Sequence, residues 1–301
     1  MNKLAYRIQS LRPRTLPLSV SGIILGSFLA YPSGNFSWPV FGLALLTTLC
    51  LQIVSNLAND LGDMRHGTDN ENRLGPTRAL QAGALSVKDY RRMIAGFCLL
   101  AIFFGISLIY KAFGCLFCSN SYILLCGGAL AILAALGYTL GTRPYGYRGL
   151  GDVFVFLFFG LLSTCGSYFL MRPVLSEIPL ILLPASGAGF FITGVLNVNN
   201  MRDRENDAAC GKHTIAVKLG LHKAKIYHFG LIIGGWLLMT IYSSITFDSL
   251  WNFLYILSLP LFIRHLYCIA QGEGRALDPQ LKFLSISTLA FCILAAIGLC
   301  L

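Results

Sequence analysis

From Thr15 to Asn59, and again from Ala112 to Thr142, the chain carries no Asp, Glu, Lys or Arg. Apolar stretches of that length are long enough to cross the ~30 Å hydrocarbon core of a bilayer, which takes about 20 helical residues. In lipid every backbone polar group must be satisfied within its own segment, so such stretches are helices. Composition agrees, since 55% of the 301 residues are hydrophobic and only 12% are charged. A soluble domain carries roughly 25% charged residues, so this chain lacks the charge to cover a water-facing surface. The fold class that follows is an all-α polytopic membrane protein.

Breaking the apolar runs at charges and at Pro, Gly and Asn clusters predicts nine spans. They cover residues 16–31, 38–58, 93–110, 121–140, 152–171, 178–200, 226–246, 249–267 and 282–301. The first two are separated at Tyr31-Pro-Ser-Gly-Asn35, and the eighth is short and ends in Arg264 and His265. Basic residues precede the first span, but no small-residue cleavage site closes it, so it reads as a retained helix. With nine spans, 21 of the 23 Lys and Arg residues fall on the N-terminal side, and only Lys111 and Arg172 fall on the other. By the positive-inside rule the N-terminus is cytoplasmic and the C-terminus lies across the membrane. The expectation is one membrane-embedded domain over residues 1–301, in the cytoplasmic (inner) membrane of a cell. The net charge of +10 is then a topology signal, and the expected partner is the lipid bilayer rather than a nucleic acid. Most of the ten cysteines lie inside apolar runs. Cys115-Leu-Phe-Cys118 does not, which leaves two free thiols or a non-cytoplasmic disulfide.

Eight of the thirteen acids lie in two cytoplasmic segments, each beginning where a span ends. The first holds Asn56, Asn59, Asp60, Asp63, Asp69, Glu71 and Asp89; the second holds Asn199, Asp203, Glu205 and Asp207. If the helices continue past the interface, Asn59 and Asp63 share a face, as do Asn199, Asp203 and Asp207. An offset of 140 residues superposes Asn59 on Asn199 and Asp63 on Asp203, which suggests two related halves. Carboxylates and amide oxygens at this spacing suit Mg2+, which takes one or two carboxylates and completes its shell with phosphate oxygens and water. Arg65, Arg73 and Arg78 flank the first cluster, and Arg202, Arg204 and Lys212 the second. Acids and bases together at one membrane-proximal mouth point to a Mg2+–diphosphate site. A solvated loop of mixed charge is the bland alternative, but acids at the ends of apolar helices are functional by default.

Asn59-Asp60-x-x-Asp63 with Asp69, and Asp203-x-x-x-Asp207-x-x-x-Gly211-x-x-Thr214, resemble the two Asp-rich motifs of UbiA-type intramembrane prenyltransferases. Five further stretches are similar to the branch that prenylates 1,4-dihydroxy-2-naphthoate in menaquinone synthesis. They are Leu11-Arg-Pro-Arg-Thr-Leu-Pro17, Asn56-Leu-Ala-Asn-Asp60, Gly75-Pro-Thr-Arg78, Arg143-Pro-Tyr-Gly-Tyr-Arg-Gly-Leu-Gly-Asp152 and Asn197-Val-Asn-Asn200. The wider family's third Asp would fall at Gly67, and this chain has Asp69 instead, which leaves the role of Asp69 open.

The resemblance implies a nine-helix bundle and a Mg2+-dependent transfer from polyprenyl diphosphate to 1,4-dihydroxy-2-naphthoate, with loss of CO2 and diphosphate. It implies that Asn59, Asp63, Asp203 and Asp207 hold the metal, with Asn56, Asp60 and Asn199 beside them. Arg65, Arg78, Arg143 and Lys212 would bind the diphosphate. Tyr138, Tyr145 and Tyr147 would shield an allylic cation or contact the acceptor, the alternative being interfacial anchoring. Arg12 and Arg14 would meet the acceptor's carboxylate or serve only as positive-inside charges. His66, His213, His222, His228 and His265 have no metal-ligand spacing. Two rival readings stay open, a sister enzyme with another aromatic acceptor and a membrane transporter.

Overall fold

The computed structural model describes residues 3–142 and 144–301, and Arg143 lies outside the described residues. Among the described residues every regular element is a helix. Nine stretches are long and apolar enough to cross a membrane: Leu16–Ser33, Trp38–Arg65, Val87–Phe113, Ser119–Gly137, Gly151–Met171, Leu175–Arg202, Ile215–Ile245, Leu250–Gln271 and Gly274–Gly298. Each overlaps one expected span. The third, seventh and ninth start six or more residues earlier than expected, because helices carry their basic residues on their first turns instead of beginning after them.

A short helix α1 (Lys3–Ser10) precedes the spans. Then come α2 (Leu16–Leu29), α3 (Trp38–Arg65), α4 (Val87–Phe113) and α5 (Ser119–Gly137). The fifth span is α6 (Gly151–Val155), a π-helical stretch over Phe156–Leu162, and α7 (Ser163–Met171). Next are α8 (Ile178–Arg202), the short α9 (Arg204–Ala209) and α10 (Ile215–Ile245). The eighth span opens as a 3-10 helix, Leu250–Ser258, and continues as α11 (Leu259–Gln271), and α12 (Asp278–Gly298) completes the bundle.

The starts have local causes. Pro17, Pro39, Pro179, Pro260 and Pro279 stand in the first turns of α2, α3, α8, α11 and α12, where a missing N–H costs nothing. Ser86 and Asp89 form a capping box on α4: Asp89 N donates to Ser86 Oγ at 3.1 Å, and Ser86 N to Asp89 Oδ2 at 3.0 Å. Thr214 Oγ1 likewise accepts from Val217 N at the start of α10.

The connections α3–α4, α5–α6 and α8–α10 lie at one end of the bundle and are long; those at the other end are short. A buried core joins α2, α8, α10, α11 and α12 around Phe191, Phe262 and Phe291. The α8 span is the most buried of the nine and α5 the least. Close approach between helices in lipid relies on small residues. Gly160 in the π-helical stretch faces Gly189 of α8 so closely that a Cβ on Gly160 would lie 2.5 Å from Gly189 Cα. Phe158, Phe159 and Leu162 of the same stretch line a cavity inside the bundle.

Candidate active site

The two Asp-rich segments meet across a buried lysine. Lys212 Nζ lies 3.3 Å from Asp63 Oδ1 on α3 and 4.0 Å from Asp207 Oδ1 on α9. Asn206 Nδ2 donates to the Thr68 carbonyl at 2.8 Å, tying the segments together again. Burial opposes the charge on Lys212, but Asp63 and Asp207 hold the ammonium above the ordinary lysine range. Burial pushes the Asp207 carboxyl up to about 6.

Asn59 and Asp63 share a face of α3 as expected. The second motif departs from the expected continuous helix, because α8 ends at Arg202 and Asp203 is a break with φ −95° and ψ 10° before α9 begins. The i,i+4 register survives through Asp203 N to Asn199 O at 3.1 Å and Asp207 N to Asp203 O at 2.8 Å. Arg202 fills the notch. It donates to Asp203 Oδ1 at 3.0 Å and Oδ2 at 2.6 Å, to Asn199 Oδ1 at 2.9 Å and to Asp278 of α12 at 2.6 Å. Arg73 approaches Asp69 at 3.1 Å and Asp203 at 3.8 Å, so one guanidinium bridges both motifs. Burial would raise the Asp203 carboxyl, but Arg202 holds it below the usual carboxylate range. Asp69, with Arg73 as its ion-pair partner, is raised by burial.

Asp60 is surrounded differently. Its Oδ1 accepts from Arg12 and faces Arg78 Nε at 3.3 Å, and its Oδ2 accepts from the Tyr90 hydroxyl at 3.0 Å. Both carboxylate oxygens are thus held by protein donors. Arg12 has the one positive φ (+53°) of any non-glycine among the described residues. Asn56 donates to the Leu11 carbonyl at 3.0 Å and Thr15 Oγ1 at 3.2 Å, and accepts from Gln52 at 3.1 Å. It pins the Leu11–Thr15 turn to α3.

Above these charges lies a cavity of about 570 Å3. Arg12, Asn56, Asn59, Asp63, Asn199 and Lys212 line its polar mouth, and side chains of α2, α3, α4, α5, α7 and α8 line an apolar interior. Tyr138 and Tyr145 line it as well, ring centroids 5.4 Å apart, and Tyr145 stacks on Phe154 at 3.9 Å. Phe158 continues that aromatic wall, 6.0 Å from Phe154. Tyr147 is outside the cavity lining. Its hydroxyl donates to Asp63 Oδ1 at 2.8 Å and bonds Thr68, and its ring lies beneath Lys212. Arg14 is exposed and pairs with Asp278 at 3.6 Å. Arg65 is exposed on the last turn of α3 and joins none of these pairs. The expectation for Arg143 lies outside the described residues.

Sequence reasoning named Arg73 and Arg202 only as flanking charges and missed Asp278, Tyr90, Phe154 and Phe158. Asp278 and Tyr90 had no local signal, since each reaches the site from another span. Phe154 and Phe158 do show i,i+4 spacing, but inside an apolar run that spacing is uninformative.

The donors fit Mg2+. Asp207 Oδ2 is buried with no hydrogen-bond partner, a costly state for a carboxylate oxygen unless something positive completes it. Asp203 keeps lone pairs beyond those taken by Arg202. Among the described residues no three His, Cys, Asp or Glu side chains converge into a set that holds a metal unaided. Mg2+ needs only one or two carboxylates, because it draws most of its ligands from phosphate and water.

The UbiA prenyltransferase family profile matches residues 19–298. The chain is 40% identical over 276 residues to the 1,4-dihydroxy-2-naphthoate octaprenyltransferase of Escherichia coli (strain K12), covering 91% of this chain and 88% of that protein. It is 41% identical over 303 residues to the 1,4-dihydroxy-2-naphthoate octaprenyltransferase of Haemophilus influenzae, covering 99% and 96%. Its fold resembles the apo structure of a UbiA homolog from Aeropyrum pernix (TM-score 0.68, 16% identity, 96% of each chain). It also resembles a UbiA homolog from Archaeoglobus fulgidus bound to GPP and Mg2+ (TM-score 0.64, 16% identity, 96% and 99% of the chains). The profile spans nearly the whole chain, and the transporter reading falls with it: this membrane protein belongs to the UbiA prenyltransferase family.

Proposed function

We propose that the chain is a 1,4-dihydroxy-2-naphthoate polyprenyltransferase of menaquinone synthesis, with polyprenyl diphosphate as donor. The observation that carries this reading is the 40–41% identity, over at least 91% of the chain, to two naphthoate octaprenyltransferases. A cavity charged at its mouth and apolar within supports it, because a polyprenyl diphosphate has the same two ends. The products are demethylmenaquinol, CO2 and diphosphate.

Asn59, Asp63, Asp203 and Asp207 would hold Mg2+, with Asn199 beside them. A Mg2+ held there would supply charge neutralisation to the departing diphosphate. Lys212 supplies a fixed positive charge at the same mouth, kept in place by Asp63 and Asp207. Fixed charges cost no reorganisation as the leaving group develops its own charge. Tyr138, Tyr145 and Phe154 line the cavity and would shield the allylic carbon as it ionises, since aromatic quadrupoles favour a cation. The apolar lining holds the isoprenoid tail and keeps water from the cation. Arg12, at the mouth, would orient the acceptor through its carboxylate. Arg78 reaches the mouth only through Asp60. The N-terminus and both Asp-rich segments would face the cytoplasm across the inner membrane, as the 21-to-2 distribution of basic residues requires.

The test is purified protein in nanodiscs with Mg2+, a polyprenyl diphosphate and carboxyl-labelled 1,4-dihydroxy-2-naphthoate. The expected result is labelled CO2 matched by a prenylated naphthoquinol, both stopped by EDTA. Prenylation of a different aromatic acceptor with no CO2 release would move the protein to a sister activity.

A further inference from the structure

The loop joining α4 to α5 holds two cysteines that prenyl transfer does not use. It lies at the end of the bundle opposite the Asp clusters, since α4 begins beside them at Val87 and ends at Phe113. Gly114 turns the chain there with φ +70°, and Cys118 is the N-cap of α5. Ser121 Oγ lies 3.2 Å from Cys118 Sγ and 2.6 Å from the Cys115 carbonyl oxygen. One hydroxyl therefore gathers both ends of Cys115-Leu-Phe-Cys118. Cys118 Sγ lies 3.8 Å from the Cys115 carbonyl oxygen, so the loop folds back on itself, and both thiols are free. Among the described residues no other loop holds two cysteines.

The surroundings make the two sulfurs unequal. Helix N-termini and hydrogen-bond donors favour a thiolate. Ser121 and the Cys115 thiol bring Cys118 down to about 7, and the same contact raises Cys115. A more acidic thiol beside a less acidic one is the arrangement of an attacking and a resolving cysteine.

We propose that Cys115 and Cys118 form a redox-active dithiol, oxidised to an intramolecular disulfide by exchange with a disulfide-carrying oxidant. The Cys118 thiolate attacks one sulfur of the oxidant, giving a mixed disulfide and releasing the other sulfur as a thiolate. Cys115 then gives up its proton and attacks Cys118 Sγ, which closes the Cys115–Cys118 bond and expels the second sulfur. Two electrons and two protons pass from the pair to the oxidant, which leaves as two thiols. The placement suits it: on the side of the membrane away from the cytoplasm, disulfides persist. The proposal is independent of the prenyl-transfer reading.

The experiment takes the full chain in detergent through a series of reduced-to-oxidised glutathione ratios, followed by acid quench, alkylation, digestion and mass spectrometry. The expected loop peptide is two hydrogens lighter and unalkylated at ratios where Cys210 is still alkylated, and dithiothreitol reverses the change. Cys115→Ser is expected to accumulate a glutathione adduct on Cys118, because the resolving thiol is gone. Cys118→Ser is expected to abolish oxidation of the loop. Alkylation of both loop cysteines at every ratio would overturn the proposal. So would an adduct on Cys115 in Cys118→Ser forming as fast as the one on Cys118 in Cys115→Ser, since the order of attack would then be lost.

Discussion

Asp60 and Asp63 stand one helical turn apart on α3, yet the structure gives them different company. Asp63 faces Lys212 and the cavity, while Asp60 is enclosed by Arg12, Arg78 and Tyr90. Substitutions at Asp207, which shares Lys212 with Asp63, and at Asp60 separate these two settings. Asp207→Asn, which removes the carboxylate whose Oδ2 has no partner, is expected to cut Mg2+-dependent transfer about 100-fold or more and to raise the Mg2+ needed for the remainder. A Mg2+ titration of CO2 release measures both, and an unchanged titration would remove Asp207 from the metal set. Asp60→Asn should leave the Mg2+ requirement nearly unchanged but raise the acceptor KM about tenfold, because Arg12 loses its anchor. It should also lower the thermal stability, since breaking a buried ion pair costs about 3–5 kcal/mol. Steady-state kinetics with acceptor and Mg2+ varied separately, together with a melting curve, check it. The sequence showed both acids but not this difference. Spacing along α3 treats them alike, but Asp60's partners arrive from the α1–α2 turn, α4 and the α3–α4 loop, and Asp63's from the α9–α10 and α5–α6 loops.

At the scale of elements, α3 is locked to the turn that follows α5, where the site begins. Thr139 Oγ1 donates to the Ala58 carbonyl at 2.9 Å, and a Cβ on Gly62 would run into Thr139. Gly62→Ala should therefore push α3 and the turn after α5 apart, at a cost of about 1–3 kcal/mol, and shift the adjacent Tyr138. The expectation is a lower melting temperature with reduced turnover. Gly96→Ala on α4, where an added Cβ meets nothing within 4 Å, should leave both unchanged or slightly improved. Equal behaviour of the two variants in a thermal scan and a turnover assay would contradict the packing argument. The spans themselves were legible, because an absence of charge is a local property. The π-helical stretch over Phe156–Leu162 and the break at Asp203 were not. Each meets a residue remote in sequence: Gly160 packs on Gly189, and Arg202 before the break pairs with Asp278.

The whole molecule is a bundle whose long loops and acids gather at one end, and its orientation is testable. With Cys115, Cys118, Cys210 and the exposed Cys300 replaced by Ser, Asp248→Cys should react with a membrane-impermeant maleimide in intact cells. Glu205→Cys, at a position 92% exposed on the Asp-rich side, should react only after the cells are permeabilised. The reverse pattern would invert the topology. By itself the sequence determined the membrane class, the nine spans, the expected orientation and the two acidic segments, because hydrocarbon excludes charge wherever the chain enters it. The tertiary structure alone decided which charges remain available for a ligand. Asp203 is held by Arg202, Arg202 by Asp278 from the far end of the chain, and Arg73 joins both motifs, whereas Asp207 keeps an unpartnered oxygen. Ion pairing acts through space at a few ångströms, so residues remote in sequence set the chemistry of the site, and the order of residues along the chain does not record their meeting.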